Sequence, residues 1–201
     1  MVMDSIWLGG LGRKMEGEAI RCAHRERAYA MKKHHATRLH YDLRLEWNGV
    51  LLSWALPEGP SCHAGELRRA IEMRDHRSEY LLFEGLHTTG PIMLWDRGTW
   101  EPHPESDDIE RGLREGVLEF TLRGEKLKGD WTLTRMNSAR NASRTIWTLC
   151  KQDDSFVDGR ADKGILEEQA NSVSTGRTME EIVRDWTNPK DSHYRQAKFF
   201  E

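Results

Sequence analysis

Residues 39–47 alternate without a break. Leu39, Tyr41, Leu43, Leu45 and Trp47 fall on one side of an extended chain, and His40, Asp42, Arg44 and Glu46 on the other. Successive side chains of a strand point to opposite faces, so this period of two predicts a β-strand with one apolar and one charged face. Asn48-Gly49 comes next. Both residues tolerate positive φ, as a two-residue hairpin turn requires, and Val50 to Leu56 returns as the partner strand until Pro57-Glu58-Gly59-Pro60 stops it. Residues 27–33 read as a further strand, joined to 39–47 by a short bend. Alternation recurs over 68–76, where Ile71 and Met73 oppose Glu72, Arg74 and His76. It recurs in the strand 92–96, closed by an Asp96-Arg97-Gly98 turn, and in 118–123, turned by Gly124-Glu125-Lys126 into the inward row Leu127, Gly129, Trp131 and Leu133. Between them lie an acidic loop at 102–108 and a single short helix or turn over 109–116. A polar loop at 137–143 precedes the last strand, 145–151.

Many short strands at even spacing predict a mainly β fold, here a small closed β-barrel with short flanking helices. Closure also lets a polar row face inward around a ligand site. Trp47, Trp54, Trp95, Trp100, Trp131 and Trp147 fall within the strands and are read as core. The pattern changes after Asp153. Residues 153–176 are polar and contain glycine. Thr178 to Trp186 then sets Met179, Ile182 and Val183 on one helical face, with Thr178 and Glu181 spaced as a capping box. The expected division is an N-terminal arm at 1–26, a barrel domain at 27–157, and a polar linker with a C-terminal helix and tail at 158–201. The arm, with Gly9, Gly10, Gly12 and Gly17, is expected to be mobile, and 188–201 loosely ordered.

The chain has 201 residues, enough for one domain and a tail, with 31% charged residues and a mean hydropathy of −0.75. No apolar run approaches a membrane span, and the start has no sustained apolar stretch that would make a signal peptide. Cys22, Cys62 and Cys150 are scattered with no Cys-x-x-Cys, which points to a reducing cytoplasm. A net charge of −3 argues against an indiscriminate nucleic-acid binder. Locally, Arg21, Arg25, Arg27, Lys32, Lys33, Arg38 and Arg44 face only Glu26 and Asp42 across residues 21–44. Such a strip suits a phosphate backbone, or it is an ordinary solvated face.

The charged row of 39–47 is costly to dry out unless its members are paired or bound. His40 and Asp42, two apart on one face, can point at one ion, and His34 can swing in from beyond the bend. Two imidazoles and a carboxylate suit manganese, iron or zinc and leave positions open. Arg44, one step along, offers a planar fork for a phosphate oxygen. An His-x-Asp pair is also common on strands without any metal. His76 ends a polar strand face and, if two polar rows converge, can donate to a phosphate oxygen or protonate a leaving oxygen. Tyr80, after the Arg77-Ser78-Glu79 turn, is read either as core or as part of the polar face that His76 ends.

These residues resemble a known family. The run Lys33 to Glu46 together with Gly49 to Pro60 resembles the 3′-phosphoesterase domain of bacterial DNA ligase D, which serves non-homologous end joining. The resemblance extends through Asp75-His76 with Tyr80, Phe83-Glu84-Gly85, Trp95 to Trp100, Phe120 to Trp131 and Trp147 to Lys151. Ser172 to Ile182 is similar to the linker that often follows this domain. It implies a manganese-dependent β-barrel enzyme that trims 3′ ends of DNA or primer strands. Such an enzyme removes a terminal ribonucleoside to leave a 3′-phosphate, then removes the phosphate to leave a 3′-hydroxyl. It also implies that His34, His40 and Asp42 hold the metal, that Arg44 and His76 contact the phosphate, that Tyr80 assists, and that Arg68 is functional.

Three departures stand against the family pattern. The Arg-Asp-Phe…Thr-x-Glu-Pro segment expected near the start is missing, with Arg13-Lys14-Met15-Glu16 at best a remnant. Glu58 stands where the family commonly has lysine. Only Leu86 to Pro91 replaces a longer Gly-rich insertion at the rim. These leave a second reading, a barrel that binds DNA ends or a repair partner without hydrolysis. A third is a metal-dependent oxygenase, since two His and one Asp also suit ferrous iron. The sequence shows no ligase or polymerase segment, so joining is expected to need a separate ligase or polymerase and an end-binding protein.

Overall fold

The computed structural model describes residues 26–136, 144–157 and 164–187, with no side-chain detail for 185–187. The expected arm before residue 26, the polar loop at 137–143 and the last residues from 188 lie outside this set. The fold is mainly β. In chain order the strands are β1 (Arg27–His35), β2 (Leu39–Trp47), β3 (Val50–Leu56), β4 (Leu67–Glu72), β5 (His76–Arg77), β6 (Gly85–His87), β7 (Gly90–Pro102), β8 (Val117–Gly124), β9 (Lys128–Arg135) and β10 (Ile146–Lys151). Three short helices accompany them: α1 (Ile109–Glu115), α2 (Ile165–Glu168) and α3 (Met179–Thr187).

The sheet runs β1-β2-β3-β4-β10-β9-β8-β7, and β7 pairs back onto β1, closing an eight-stranded antiparallel barrel. The β2–β3 connection turns on Asn48 (φ 49°) and Gly49 (φ 82°), as the hairpin signal requires. Each barrel strand sends alternate residues to one apolar core. Tyr29 and Met31 come from β1, Leu43 and Leu45 from β2, and Trp54, Ala70, Trp95, Phe120, Trp131 and Trp147 from the others in turn. Trp54, Trp95, Trp100, Trp131 and Trp147 are fully buried, and Trp47 packs against the core from its edge. Aromatic side chains bury the most area each, which suits a core with no second layer.

Because the core fills the inside, the charged row of β2 lies on the outside of the barrel, and the expected inward placement is wrong. Period two tells which residues share a face, not which face is enclosed. Asp42 and Arg44 of the outer row are nonetheless buried, with His76 and the Tyr80 turn of the segment 73–87 packed over this face, while His40 and Glu46 are half-buried. The predicted strand over 68–76 is accordingly broken. The Met73 amide donates to Ser53 O at 2.9 Å, and the chain then leaves β4 to form the two-residue β5 against β3 and a single 3-10 turn at Ser78–Tyr80.

The Asp96-Arg97-Gly98 turn is also absent, since these residues lie within β7. Met31 and Lys32, consecutive on β1, face Asp96 and Leu94, so Trp95 is an extra residue and the strand bulges there. Asp96 is fully buried. Its carboxylate accepts from Tyr29 Oη and from the amides of Leu127 at 2.8 Å and of Lys126 and Arg97 at 2.9 Å. That knot fastens the bulge to the β8–β9 turn.

The region after the last strand packs on the barrel. Ile165, Met179 and Ile182 join the core cluster. Glu84 accepts from Ser172, Thr175, Arg177 and the Leu94 amide. The Trp95 indole donates to Gln169 O at 2.8 Å. The α3 capping box forms as its spacing predicts: the Glu181 amide donates to Thr178 Oγ1 at 3.2 Å, and the Thr178 amide to Glu181 Oε2 at 2.8 Å. Among the described residues, no helix is long and apolar enough to cross a membrane.

Candidate metal centre

The register of β1 against β2 builds the site. His34 lies directly opposite His40, and Lys32 opposite Asp42. Cross-strand pairing, rather than a swing around the bend, is what brings His34 in. One ligand atom each from His34, His40 and Asp42 lie within 4.8 Å of one another. His34 Nδ1 stands 3.6 Å from Asp42 Oδ2, and His40 Nε2 stands 3.5 Å from Asp42 Oδ1. These separations are too long for good hydrogen bonds and leave room for a small cation between the three donors. The other ring nitrogens are already engaged: His40 Nδ1 meets Arg38 O at 2.9 Å, and His34 Nε2 meets Thr89 Oγ1 at 3.0 Å. Metal-binding imidazoles are usually held in this way. The donor set therefore fits a borderline divalent ion.

Arg44 is 8% exposed and holds the centre of the outer row. Its neighbours across the strands are Ala30 and Ser53, small residues that leave room for the guanidinium. Nη2 reaches Asp42 Oδ2 at 3.2 Å, and Nη1 donates to His76 Nδ1 at 2.8 Å. Ser53 Oγ donates to Leu51 O at 2.7 Å and lies 3.2 Å from the same His76 nitrogen. Since arginine only donates, His76 Nδ1 is an acceptor and the neutral ring carries its proton on Nε2.

The electrostatics agree with that assignment. Burial and the Arg44 guanidinium hold the His76 imidazole below its ordinary value. Burial pushes Asp42 up, but His34, Arg44 and His40 outweigh it and keep the carboxyl below the usual range. Lys32 is 4% exposed, donates to Tyr80 O, and faces the Phe83 ring at 5.6 Å. Burial and the Arg44 charge push its ammonium down to about 7, against the pull of Asp42.

Five of the expected residues thus come together: His34, His40, Asp42, Arg44 and His76. Tyr80 joins through its backbone, in the turn that Lys32 holds over the site. Arg68 is not brought into the cluster. It pairs with Leu149 on the core side of β4, and its Nη2 meets Glu66 Oε1 at 2.7 Å. Glu58 pairs with Arg69, Oε1 to Nη2 at 2.9 Å. Lys32, Ser53, His87 and Thr89 were missed. Lys32 was visible only as part of a basic strip, although it shares a strand face with His34 two residues on. Ser53 follows from the hairpin register. His87 and Thr89 carried no signal in the sequence.

The site residues coincide with a family match. The DNA ligase D 3′-phosphoesterase domain family covers residues 32–135. The multifunctional non-homologous end joining protein LigD of Pseudomonas aeruginosa is 40% identical over 156 residues, covering 75% of this chain and 18% of that protein. The multifunctional non-homologous end joining DNA repair protein LigD of Mycobacterium tuberculosis is 36% identical over 117 residues, covering 56% of this chain and 15% of its own length. The Mycolicibacterium smegmatis LigD is 36% identical over 133 residues, covering 57% and 17%. The chain therefore spans less than a fifth of each of these curated relatives. With barrel, ligand cluster and family match in agreement, this chain belongs to the DNA ligase D 3′-phosphoesterase domain family.

Proposed function

We propose that the barrel is a manganese-dependent 3′-end-healing phosphoesterase. Its substrates are DNA or primer-template 3′ ends, from which it removes a terminal ribonucleoside and then the 3′-phosphate to leave a 3′-hydroxyl during double-strand break repair. One observation carries the reading: three metal-type donors share a face with a buried Arg44 bonded to His76. A divalent ion held by His34, His40 and Asp42 would polarise a phosphoryl oxygen and orient the attacking nucleophile.

The protein's own groups supply the rest. Arg44, fixed between Asp42 and His76, offsets charge that builds on the phosphoryl oxygens. His76, held neutral with its proton on Nε2, acts as a hydrogen-bond donor to the phosphate rather than as a cationic acid. Lys32 holds the turn that carries Tyr80. Tyr80 and Arg68 lie outside the ligand cluster, and their roles in this reading, Tyr80 assisting and Arg68 functional, rest on the family resemblance alone.

The test is a labelled primer ending in a 3′ ribonucleotide or a 3′-phosphate, incubated with protein and manganese. The wild type shortens the first and releases phosphate from the second, and His40→Ala does neither. Equal turnover by His40→Ala refutes the site. Binding of the primer by the wild type without any hydrolysis favours the non-catalytic end-binding reading instead.

A further inference from the structure

Thr89, between β6 and β7, stands between two imidazoles. Its Oγ1 lies 3.0 Å from His34 Nε2 and 2.8 Å from His87 Nδ1. One amide sets the direction of both bonds. The Thr89 N–H can only donate, and it points at His87 Nδ1 at 3.3 Å, so that nitrogen is an acceptor. The Thr88 hydroxyl stands further off, at 3.4 Å. The Thr89 hydroxyl gives its single proton to His87 and keeps only lone pairs for His34. His34 Nε2 must then carry a proton and donate. Its Nδ1, which faces Asp42 at 3.6 Å, is left with a lone pair.

His40 is fixed the other way round. Its Nδ1 donates to Arg38 O, so its lone pair is on Nε2, 3.5 Å from Asp42. The place of Thr89 is imposed by close packing. Gly90 follows it at φ 132°, and a Cβ there would sit 2.2 Å from His35 O. This connection is therefore pressed onto β1 beside His34, and only glycine allows it.

We infer that Thr89, oriented by His87, is a positioning residue that holds His34 as the Nε2–H tautomer and presents its Nδ1 to the cation, beside His40 presenting Nε2. The inference deepens the metal reading and rests on it. The shortened rim thereby supplies the outer hydrogen bond of a metal-facing histidine. Such partners typically change metal affinity by about 10- to 100-fold when removed.

The test uses Thr89→Val, which keeps the shape and loses the hydroxyl, and Thr89→Ser, which keeps the hydroxyl. His87→Ala, which removes only the acceptor, is the second probe. Long-range proton–nitrogen NMR of the imidazole rings is recorded on metal-free protein at about pH 8, above the ordinary imidazole range. Wild type and Thr89→Ser are expected to show His34 as the Nε2–H form, whereas Thr89→Val and His87→Ala show a mixture of tautomers. Calorimetric titration with manganese is expected to show binding about 10-fold weaker in Thr89→Val, with Thr89→Ser restoring it. Wild-type tautomer and wild-type affinity in both Thr89→Val and His87→Ala overturn the inference. A wild type that binds no manganese, yet loses the Nε2–H form on Thr89→Val, overturns the metal reading and leaves the tautomer assignment standing.

Discussion

Glu84 is the point at which the C-terminal segment is tied to the cover of the site, and Glu84→Gln tests that tie. The side chain is 4% exposed. Oε2 accepts from the Leu94 amide at 2.9 Å and from Ser172 Oγ, while Oε1 accepts from Thr175 Oγ1 at 2.6 Å and from Arg177 Nη2 at 3.4 Å. Glutamine has the same shape but only one carbonyl oxygen. Whichever way the amide turns, one pair of donors meets an NH2 group. Hydrogen bonds to a charged acceptor contribute about 1.5–3 kcal/mol each, so losing two, with some hydroxyl rotation to compensate, costs about 3 kcal/mol. In a chain of this size that corresponds to a fall in Tm of about 6–12 °C. Calorimetric melting measures it, and hydrogen exchange locates it, with faster exchange expected over residues 172–182 and unchanged protection in β8 and β9. A fall of less than about 2 °C, or uniform loosening of the barrel, refutes the reasoning.

Two further outcomes follow from the phosphate side of the site. Arg44→Lys keeps the charge but cannot bridge Asp42 and His76 together, so kcat/KM on a 3′-phosphate primer should fall about 10- to 100-fold, the worth of one charge-assisted hydrogen bond; activity within about twofold of wild type counts against the fork. His76 has a depressed value in the fold, so the unfolded chain binds its proton first on acidification. Its contribution to stability is complete above about pH 6.5 and is lost as pH falls toward the depressed value. Melting curves from pH 7 to pH 5 should therefore decline more steeply for wild type than for His76→Asn, and parallel declines would contradict the assignment.

The degree to which the site could be read in advance depended on how local each constraint is. Asn48-Gly49 sets the β2–β3 register outright, so Ser53 opposite Arg44 was derivable from the turn alone. The capping box of α3 was equally local. The bend at residues 36–38 carries no such rule, so the opposition of His34 and His40 had to come from the fold. Asp96 looks like a turn residue beside Arg97-Gly98. Barrel closure through β1 and β7, a non-local pairing, keeps it in a strand and turns Trp95 into a bulge. The outward direction of the charged row was hidden for a related reason. Asp42 and Arg44 are as buried as many core residues, yet their cover comes from a segment some thirty residues downstream, as the Arg44–His76 bond shows. Glu84 was visible only within the Phe83-Glu84-Gly85 run of the resemblance, and its role was hidden because its partners lie near residue 175.

The central claim is that His34, His40 and Asp42 close on one divalent ion next to Arg44. Crystals grown with manganese, measured at wavelengths on either side of its absorption edge, put this to the test. The account predicts one strong anomalous peak within bonding distance of His34 Nδ1, His40 Nε2 and an Asp42 carboxylate oxygen. A peak held by other side chains, or no peak with the three donors turned apart, would contradict it.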